Sequence, residues 1–334
     1  MKEKTSAGPG VRALADLATP MAIRVAATLR LADHVAAGRD TAAVLADIVG
    51  AHEGSLARLL DHLVHAGLFV RREPGTYALT DLGEQLKEDH PKGRRRWLDI
   101  EGAVGRGDLG FVHLLHTVRT GEAAYPLHYG TPFWEDLGSD SALSTSFDEA
   151  MGHHIAHDGT SLAEAYDWSA LGHVVDVGGG NGALLSLLLS RHPDLVGTVV
   201  DLPGPVESAR SRFEAEGLKD RADAVEADFF ASLPAGAGGY ILSSVLHDWG
   251  DDEAVRILRS CADAAGDGGP VLVIEAVGSD GESPSTAMDL RMLVFTGGRE
   301  RGLAELTSLA HRAGLRVRTT ATAGFLAVIE LVRR

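Results

Sequence analysis

From His173 onward the chain alternates short apolar runs with helical stretches, and this alternation constrains the fold more than any other feature. The runs are "HVVDV", "VGTVVDL", "ADAVEAD", "GYILSSVLH" and "PVLVIEAV". Strands separated by helices build a parallel sheet with crossover connections, an α/β architecture. The closing stretch "LRVRTTATAGFLAVIELVRR" leaves no room for a helix between its two apolar runs. It predicts two strands joined by a short Thr/Ala/Gly connection, an antiparallel pair at the end of the sheet.

The first strand runs into "VVDVGGGNG", residues 174–182. A strand followed by Gly178, Gly180 and Ala183 fits a nucleotide-binding turn. Glycines allow the turn to be tight and let a ligand come close to the backbone; a tight turn with no ligand is the plain alternative. Asp176 separates the candidate ligands. A dinucleotide places its pyrophosphate on the helix N-terminus, and a carboxylate there would repel it. A cation would be welcome. Asp201 ends the second strand, where it is placed for a ribose diol. Asp228, in "EADFF", ends the third strand and can accept from an adenine amino group, with Phe229 along the adenine face. A nucleoside with a positive charge and no pyrophosphate is S-adenosylmethionine.

His247, in "SSVLHDWGDD", falls at the C-terminal end of the fourth strand, where open α/β sheets bind ligands. An imidazole with an ordinary pKa of about 6.5 suits a general base at cellular pH. A phenol is a poor nucleophile and its phenolate a good one. Glu275 ends the fifth strand and could fix the imidazole tautomer in the manner of a catalytic triad. Glu300, in "GGRER", supplies a second carboxylate.

The N-terminal part has a different character. Residues 11–36 are rich in Ala and Leu at helical spacing. A helix, a turn, a second helix from about Ser55 and a hairpin turning at "EPGT" follow, which is the order of a winged helix. The would-be recognition helix "SLARLLDHLVHAGL" lacks the Arg, Lys, Asn and Gln density that reads base edges. A structural or dimerising role is the better reading. "KGRRRW" is the one basic cluster and reads as a solvated helix face. The Ala/Leu-rich helices hold more apolar surface than one small domain needs, which predicts a homodimer.

These motifs together resemble a known family. Asp176-x-Gly178-x-Gly180-x-Gly182 resembles motif I of the class I S-adenosylmethionine-dependent methyltransferases, which share the antiparallel last strand. "HDW" after strand four, Glu275 after strand five and "GGRER" before the last helix resemble the homodimeric small-molecule O-methyltransferases, plant caffeate-type enzymes included. "RALADLATPMAIRVAATLRLADH", "GRGDLGF" and "YGTPFWEDLGSD" look closer still to bacterial tailoring enzymes for enediyne, naphthoate and anthraquinone-type polyketides. The resemblance implies a Rossmann-like catalytic domain over 166–334, a winged-helix dimerisation domain over 1–95 and a helical linker over 96–165 lining the substrate pocket. It implies methylation of a phenolic hydroxyl, with His247, Glu275 and Glu300 as base and supports. Asp176, Gly178, Gly180, Asp201, Leu202, Asp228, Phe229 and Ser243 would contact the cofactor, whose product is S-adenosylhomocysteine. Phe147, Met151, His154, Met288, Met292 and Phe295 would line the pocket. Arg12 and Arg291 would meet an acidic or carbonyl group, Arg12 reaching from the N-terminal segment either in cis or across the dimer. Some members of this group keep the cofactor yet hydroxylate or decarboxylate, so non-methylating chemistry is one alternative; a winged-helix regulator that senses the cofactor is another.

Composition bounds the remaining options. The 334 residues suggest about two domains. A net charge of −16 argues against a nucleic-acid-binding surface. The single cysteine, Cys261, excludes an internal disulfide or a multi-cysteine zinc site and fits a cytoplasmic setting. No apolar run approaches a membrane span, and the polar start "MKEKTSAGPG" reads as a flexible tail rather than a secretory signal. "MGHHIAHDG" puts His153 and His157 at i, i+4 with Asp158 following, a spacing that can bind a metal. No Glu stands between them and no third ligand is evident, so no metal is expected.

Overall fold

The computed structural model describes residues 10–73 and 75–334, with the backbone alone over 153–158. It divides into two compact units, Met1–Gly105 and Arg106–Arg334.

In the first unit, helix Ala42–Val49 starts where the Thr41 hydroxyl accepts from the Val44 amide and ends at Gly50, left-handed with φ 65°. Helix Glu53–His65 buries Leu56, Leu60 and Leu63. Strands β1 (Phe69–Arg71) and β2 (Tyr77–Leu79) pair antiparallel as the wing. These elements share one core with Leu31, Val35 and Leu45. The apolar stripe of the would-be recognition helix therefore faces inward. In the basic cluster, Arg95 and Arg96 both pair with Glu88, and Arg95 also pairs with Asp99 at 3.0 Å. Arg95 and Arg96 are thus paired and half-buried, while Lys92 and Arg94 are exposed, so only part of the cluster is the solvated face expected. Val11, Leu14 and Leu17 are exposed.

The second unit is built on a seven-stranded sheet. In chain order its strands are β3 (His173–Val177), β4 (Val196–Asp201), β5 (Ala222–Glu226), β6 (Gly239–Ser243), β7 (Val271–Ala276), β8 (Leu315–Ala323) and β9 (Leu326–Arg333). Across the sheet the order is β5-β4-β3-β6-β7-β9-β8. The β3, β4, β5, β6 and β7 pairings are parallel, and β9 runs antiparallel to β7 and β8. Alternate residues serve two cores: Val174, Val199, Ile241 and Leu272 on one face, Val175, Val200, Leu242 and Val273 on the other. Burial on both faces is what a parallel sheet covered by helices demands. The chain runs outward from β3 to β4 and β5, then returns to lay β6 on the other side of β3. The crevice at the C-terminal ends of β3 and β6 is thus the topological switch point, where ligands bind in such sheets.

Two details differ from expectation. The Thr/Ala stretch is strand, not connection: Thr319–Ala323 pair with Leu326–Glu330, and only Gly324 and Phe325 form the turn. Threonine suits an exposed edge strand, and Gly324, at φ 63°, takes the left-handed turn position. Asp228 stands past the end of β5, which stops at Glu226.

Candidate active site

The loop after β3 is shaped by its glycines. Gly178, Gly180 and Gly182 have φ of 71°, 56° and 72°, a region that side-chain-bearing residues avoid. A Cβ at Gly182 would also sit 2.5 Å from the Phe213 ring. Asp201 Oδ2 accepts from the Gly180 amide at 2.8 Å and Oδ1 from the Leu202 amide at 2.7 Å. The acid at the end of β4 is thereby locked against the loop. Asp176 is 1% exposed, and neither of its carboxylate oxygens has a hydrogen-bond partner. Burial, and then the charge of Asp201, push its pKa up to about 7. A buried carboxylate without a partner is costly, and it is the group a cationic ligand would complete. The loop, Asp176 and Asp201 together fit S-adenosylmethionine.

Asp148, which the sequence did not single out, joins this group. It is 7% exposed on helix Ser141–Glu164, and its Oδ2 is buried without a partner. Burial and the charge of Asp201 push its pKa up to about 6, against smaller opposing effects of Ser208 and Arg212.

After β6 the backbone is strained: Ser244 has φ 53°. A turn of 3-10 helix, Leu246–Asp248, then carries His247. Its Nδ1 lies 3.1 Å from Glu275 Oε2 and 3.3 Å from Glu300 Oε1, and both carboxylates are buried. A proton on Nδ1 is shared between them, so the tautomer is set and Nε2 is the nitrogen left to take a proton. Glu275 Oε1 also accepts from the Leu246 amide at 3.1 Å. Burial lowers the His247 pKa, but Glu275, Asp248 and the hydrogen bonds of Glu275 and Glu300 outweigh it, and the net shift is well upward. Asp248, whose Oδ1 is 3.7 Å from Nε2, is pushed up to about 7 by burial.

Further residues missed in the sequence hold this turn in place. Arg301, 3% exposed, donates to the Leu246 carbonyl and to the Trp249 carbonyl, each at 2.8 Å, and pairs with Asp251. The Arg299 amide donates to the His247 carbonyl at 2.8 Å. A Cβ at Gly298 would lie 2.1 Å from that carbonyl oxygen. "GGRER" is therefore a clamp on the turn that carries His247 as well as the source of Glu300. Only the folded contacts reveal it, because arginine in a loop reads as surface.

The aromatic walls converge on Phe133, another residue the sequence did not single out. Its ring centroid is 5.9 Å from that of Phe147, 5.2 Å from Phe295 and 5.1 Å from Trp134. Met292 is buried, and Met151 and Met288 are half-buried. Arg291 is paired through two hydrogen bonds, at 2.6 and 3.1 Å, with the buried Asp108. Phe229 packs on Phe230 and Trp249, and Asp228 Oδ1 accepts from the Phe230 amide at 2.8 Å. Leu202 is exposed and Ser243 half-buried. Arg12 is exposed in the first unit. The side chains of His153, His154, His157 and Asp158 lie outside the described residues. Among the described residues no group of three His, Cys, Asp or Glu could hold a metal, and no helix is long and apolar enough to cross a membrane.

Sheet topology, cofactor cradle and supported histidine define a class I methyltransferase, and comparison with known proteins agrees. Residues 111–316 match the O-methyltransferase domain and residues 12–89 the O-methyltransferase dimerisation domain. The chain belongs to the O-methyltransferase family. It is 61% identical over 328 residues to the 2,7-dihydroxy-5-methyl-1-naphthoate 7-O-methyltransferase of Streptomyces carzinostaticus, covering 98% of each chain. It is 48% identical over 319 residues to aclacinomycin 10-hydroxylase RdmB of Streptomyces purpurascens, covering 93% of this chain and 85% of that one. The crystal structure of NcsB1, an O-methyltransferase from neocarzinostatin biosynthesis bound to S-adenosylmethionine and 2-hydroxy-5-methyl naphthoic acid, superposes with a TM-score of 0.94. The two are 60% identical, over 98% of this chain and 100% of that one.

Proposed function

We propose that this enzyme transfers the methyl group of S-adenosylmethionine to a phenolic hydroxyl of a fused-ring aromatic polyketide of the naphthoate or anthraquinone type. The observation that carries the proposal is the His247 site: Nδ1 faces two buried carboxylates and Nε2 is left to act. The bound cofactor supplies an electrophilic methyl on a sulfonium. His247 Nε2 removes the phenol proton, Glu275 and Glu300 stabilise the imidazolium that forms, and Asp176 offers its carboxylate to the cofactor's cationic end. Raising the histidine pKa toward that of a phenol makes the proton transfer less uphill. Holding the reacting oxygen in line contributes much of the remaining acceleration. Gly178, Gly180 and Leu202 give the cofactor backbone contacts, Asp201 meets the ribose, and Asp228, Phe229 and Ser243 meet the adenine end. Phe147, Met151, His154, Met288, Met292 and Phe295 line the ring pocket, and Arg12 and Arg291 face a carboxylate or carbonyl. The 61% identical naphthoate enzyme and the naphthoic acid bound in NcsB1 support this substrate class. The dimerisation-domain match supports a homodimer; in this reading 1–95 form the dimerisation domain, 96–165 a helical linker and 166–334 the catalytic domain. Incubation with S-adenosylmethionine and a panel of hydroxynaphthoates and anthraquinone phenols, read by mass spectrometry, tests it. The expected result is a gain of one methyl group and S-adenosylhomocysteine release. A hydroxylated or decarboxylated product without methyl gain would place the chain with non-methylating relatives.

A further inference from the structure

We propose that Asp148 is a cofactor-binding residue that works beside Asp201, its carboxyl group accepting from the ribose hydroxyls; the inference rests on the reading of the site as one for S-adenosylmethionine. The side chain comes from helix Ser141–Glu164, outside the sheet that carries Asp176 and Asp201. Two contacts hold this helix close to the glycine loop. The Asn181 side-chain amide donates to the Asp148 carbonyl at 3.1 Å, and a Cβ at Gly152 would be 3.5 Å from the same amide nitrogen. Arg212 in turn donates to the Asn181 carbonyl at 3.0 Å, which holds Asn181 in place.

In this setting Asp148 Oδ1 stands 3.7 Å from the position a Cβ would take on Gly180, the residue whose amide is bound by Asp201. Two carboxyl groups therefore face one glycine, and Asp148 Oδ2 is buried with no partner. Within the protein this arrangement is answered only in part: Ser208 and Arg212 favour the Asp148 carboxylate, but burial and the charge of Asp201 outweigh them. The acids repel each other, and an unmatched buried acceptor costs about 1–3 kcal/mol. A vicinal diol answers both problems, since it brings two neutral donors for two acceptors. A cationic group is already provided for: Asp176, buried and unpartnered, stands before Gly178, whereas Asp148 keeps company with the acid placed for the ribose.

Calorimetric binding of S-adenosylhomocysteine and of 5′-methylthioadenosine, which keeps the ribose but lacks the amino-acid end, tests the assignment on the full-length protein. Asp148→Ala is expected to weaken both ligands in parallel, by about tenfold, the effect of one lost hydrogen bond to a charged group. Asp148→Asn, nearly isosteric, is expected to weaken both while raising the melting temperature of the ligand-free protein, because a buried acid without a partner has been removed. Opposite signs on affinity and stability distinguish a ligand contact from a structural one. Wild-type affinity for both ligands in Asp148→Asn overturns the inference, and decides it should Asp148→Ala not fold. Loss for S-adenosylhomocysteine alone also overturns it, since the contact would then be to the amino-acid end. A wild-type protein that binds neither ligand overturns the methyltransferase reading itself, and this inference with it.

Discussion

In the proposed mechanism the chemistry turns on His247, and its surroundings give it a definite pH behaviour. Proton abstraction needs a neutral imidazole, and the carboxylates of Glu275, Asp248 and Glu300 hold the imidazolium to a pH above the ordinary histidine range. The rate kcat/KM is therefore expected to rise with pH through a value above 6.5, and Glu275→Gln, by removing one negative charge, should move that rise to lower pH while reducing kcat. A pH-rate profile identical in the variant would separate Glu275 from the base. His247→Ala should keep S-adenosylhomocysteine binding and lose turnover by roughly 10²–10⁴-fold, the usual contribution of a placed acid–base group; near-normal turnover at neutral pH would assign the proton to another acceptor. Glu275 was legible in the sequence because it stands at the end of a strand, and His247 because it follows one closely, although β6 stops at Ser243 and a 3-10 turn carries the histidine. Asp148 was not: an acid in the middle of a helix looks like surface until the helix is seen lying on the glycine loop.

Among the elements, the segment between the helix Thr286–Phe295 and the helix Leu303–Arg312 does two jobs. It delivers Glu300 and, through Arg299 and Arg301, binds the backbone on either side of the base. Gly298→Ala would bring a methyl to 2.1 Å from the His247 carbonyl oxygen, so the turn must shift. Displacements of this kind reduce turnover strongly even when far from bonds being made. The expected result is a fall in kcat of about tenfold or more with cofactor affinity close to wild type, measured by steady-state kinetics beside calorimetry. An unchanged kcat would show that the turn absorbs the methyl. The strands were readable as apolar runs, whereas the clamp was hidden because its bonds join residues about fifty positions apart, as Leu246 and Arg301 are.

For the whole molecule, the sign of the acid shifts sets the dependence of stability on pH. Asp176 and Asp248 are raised to about 7, Asp148 to about 6, and His247 is raised as well. A group whose pKa is higher in the folded chain contributes stability at low pH that is lost as pH rises through the folded value. Asp251 and Glu330 are lowered, so their contribution is lost only as pH falls through the carboxylate range. His34 and His173 are lowered by burial and act the other way, losing stability as pH falls; the raised groups outnumber them, so the ligand-free protein should melt at progressively lower temperature from pH 5 toward pH 8, by about 2–4 °C for each kcal/mol lost. A melting temperature that climbs between pH 5 and pH 8 in differential scanning fluorimetry would contradict this. Val11, Leu14 and Leu17 of one unit and Val112, Leu115 and Val118 of the other are exposed, and residues 12–89 match a dimerisation domain. Light scattering at micromolar concentration is expected to give a dimer; a monomer would refute it.

Local pattern was enough to establish the parallel sheet, the wing, the glycine loop, the strand-end placement of Asp201 and Glu275 and the position of His247 shortly after a strand. Each is written in periodicity or in a residue type that the backbone requires, such as glycine at φ 71°. Tertiary structure alone decided what surrounds those groups. It brought Phe133 against Phe147 and Phe295, paired Arg291 with Asp108, left Asp176 without a partner and laid Asp148 beside Asp201. A side chain's chemistry here depends on burial and on neighbours distant in sequence, and those are properties of the packed chain rather than of any stretch of it.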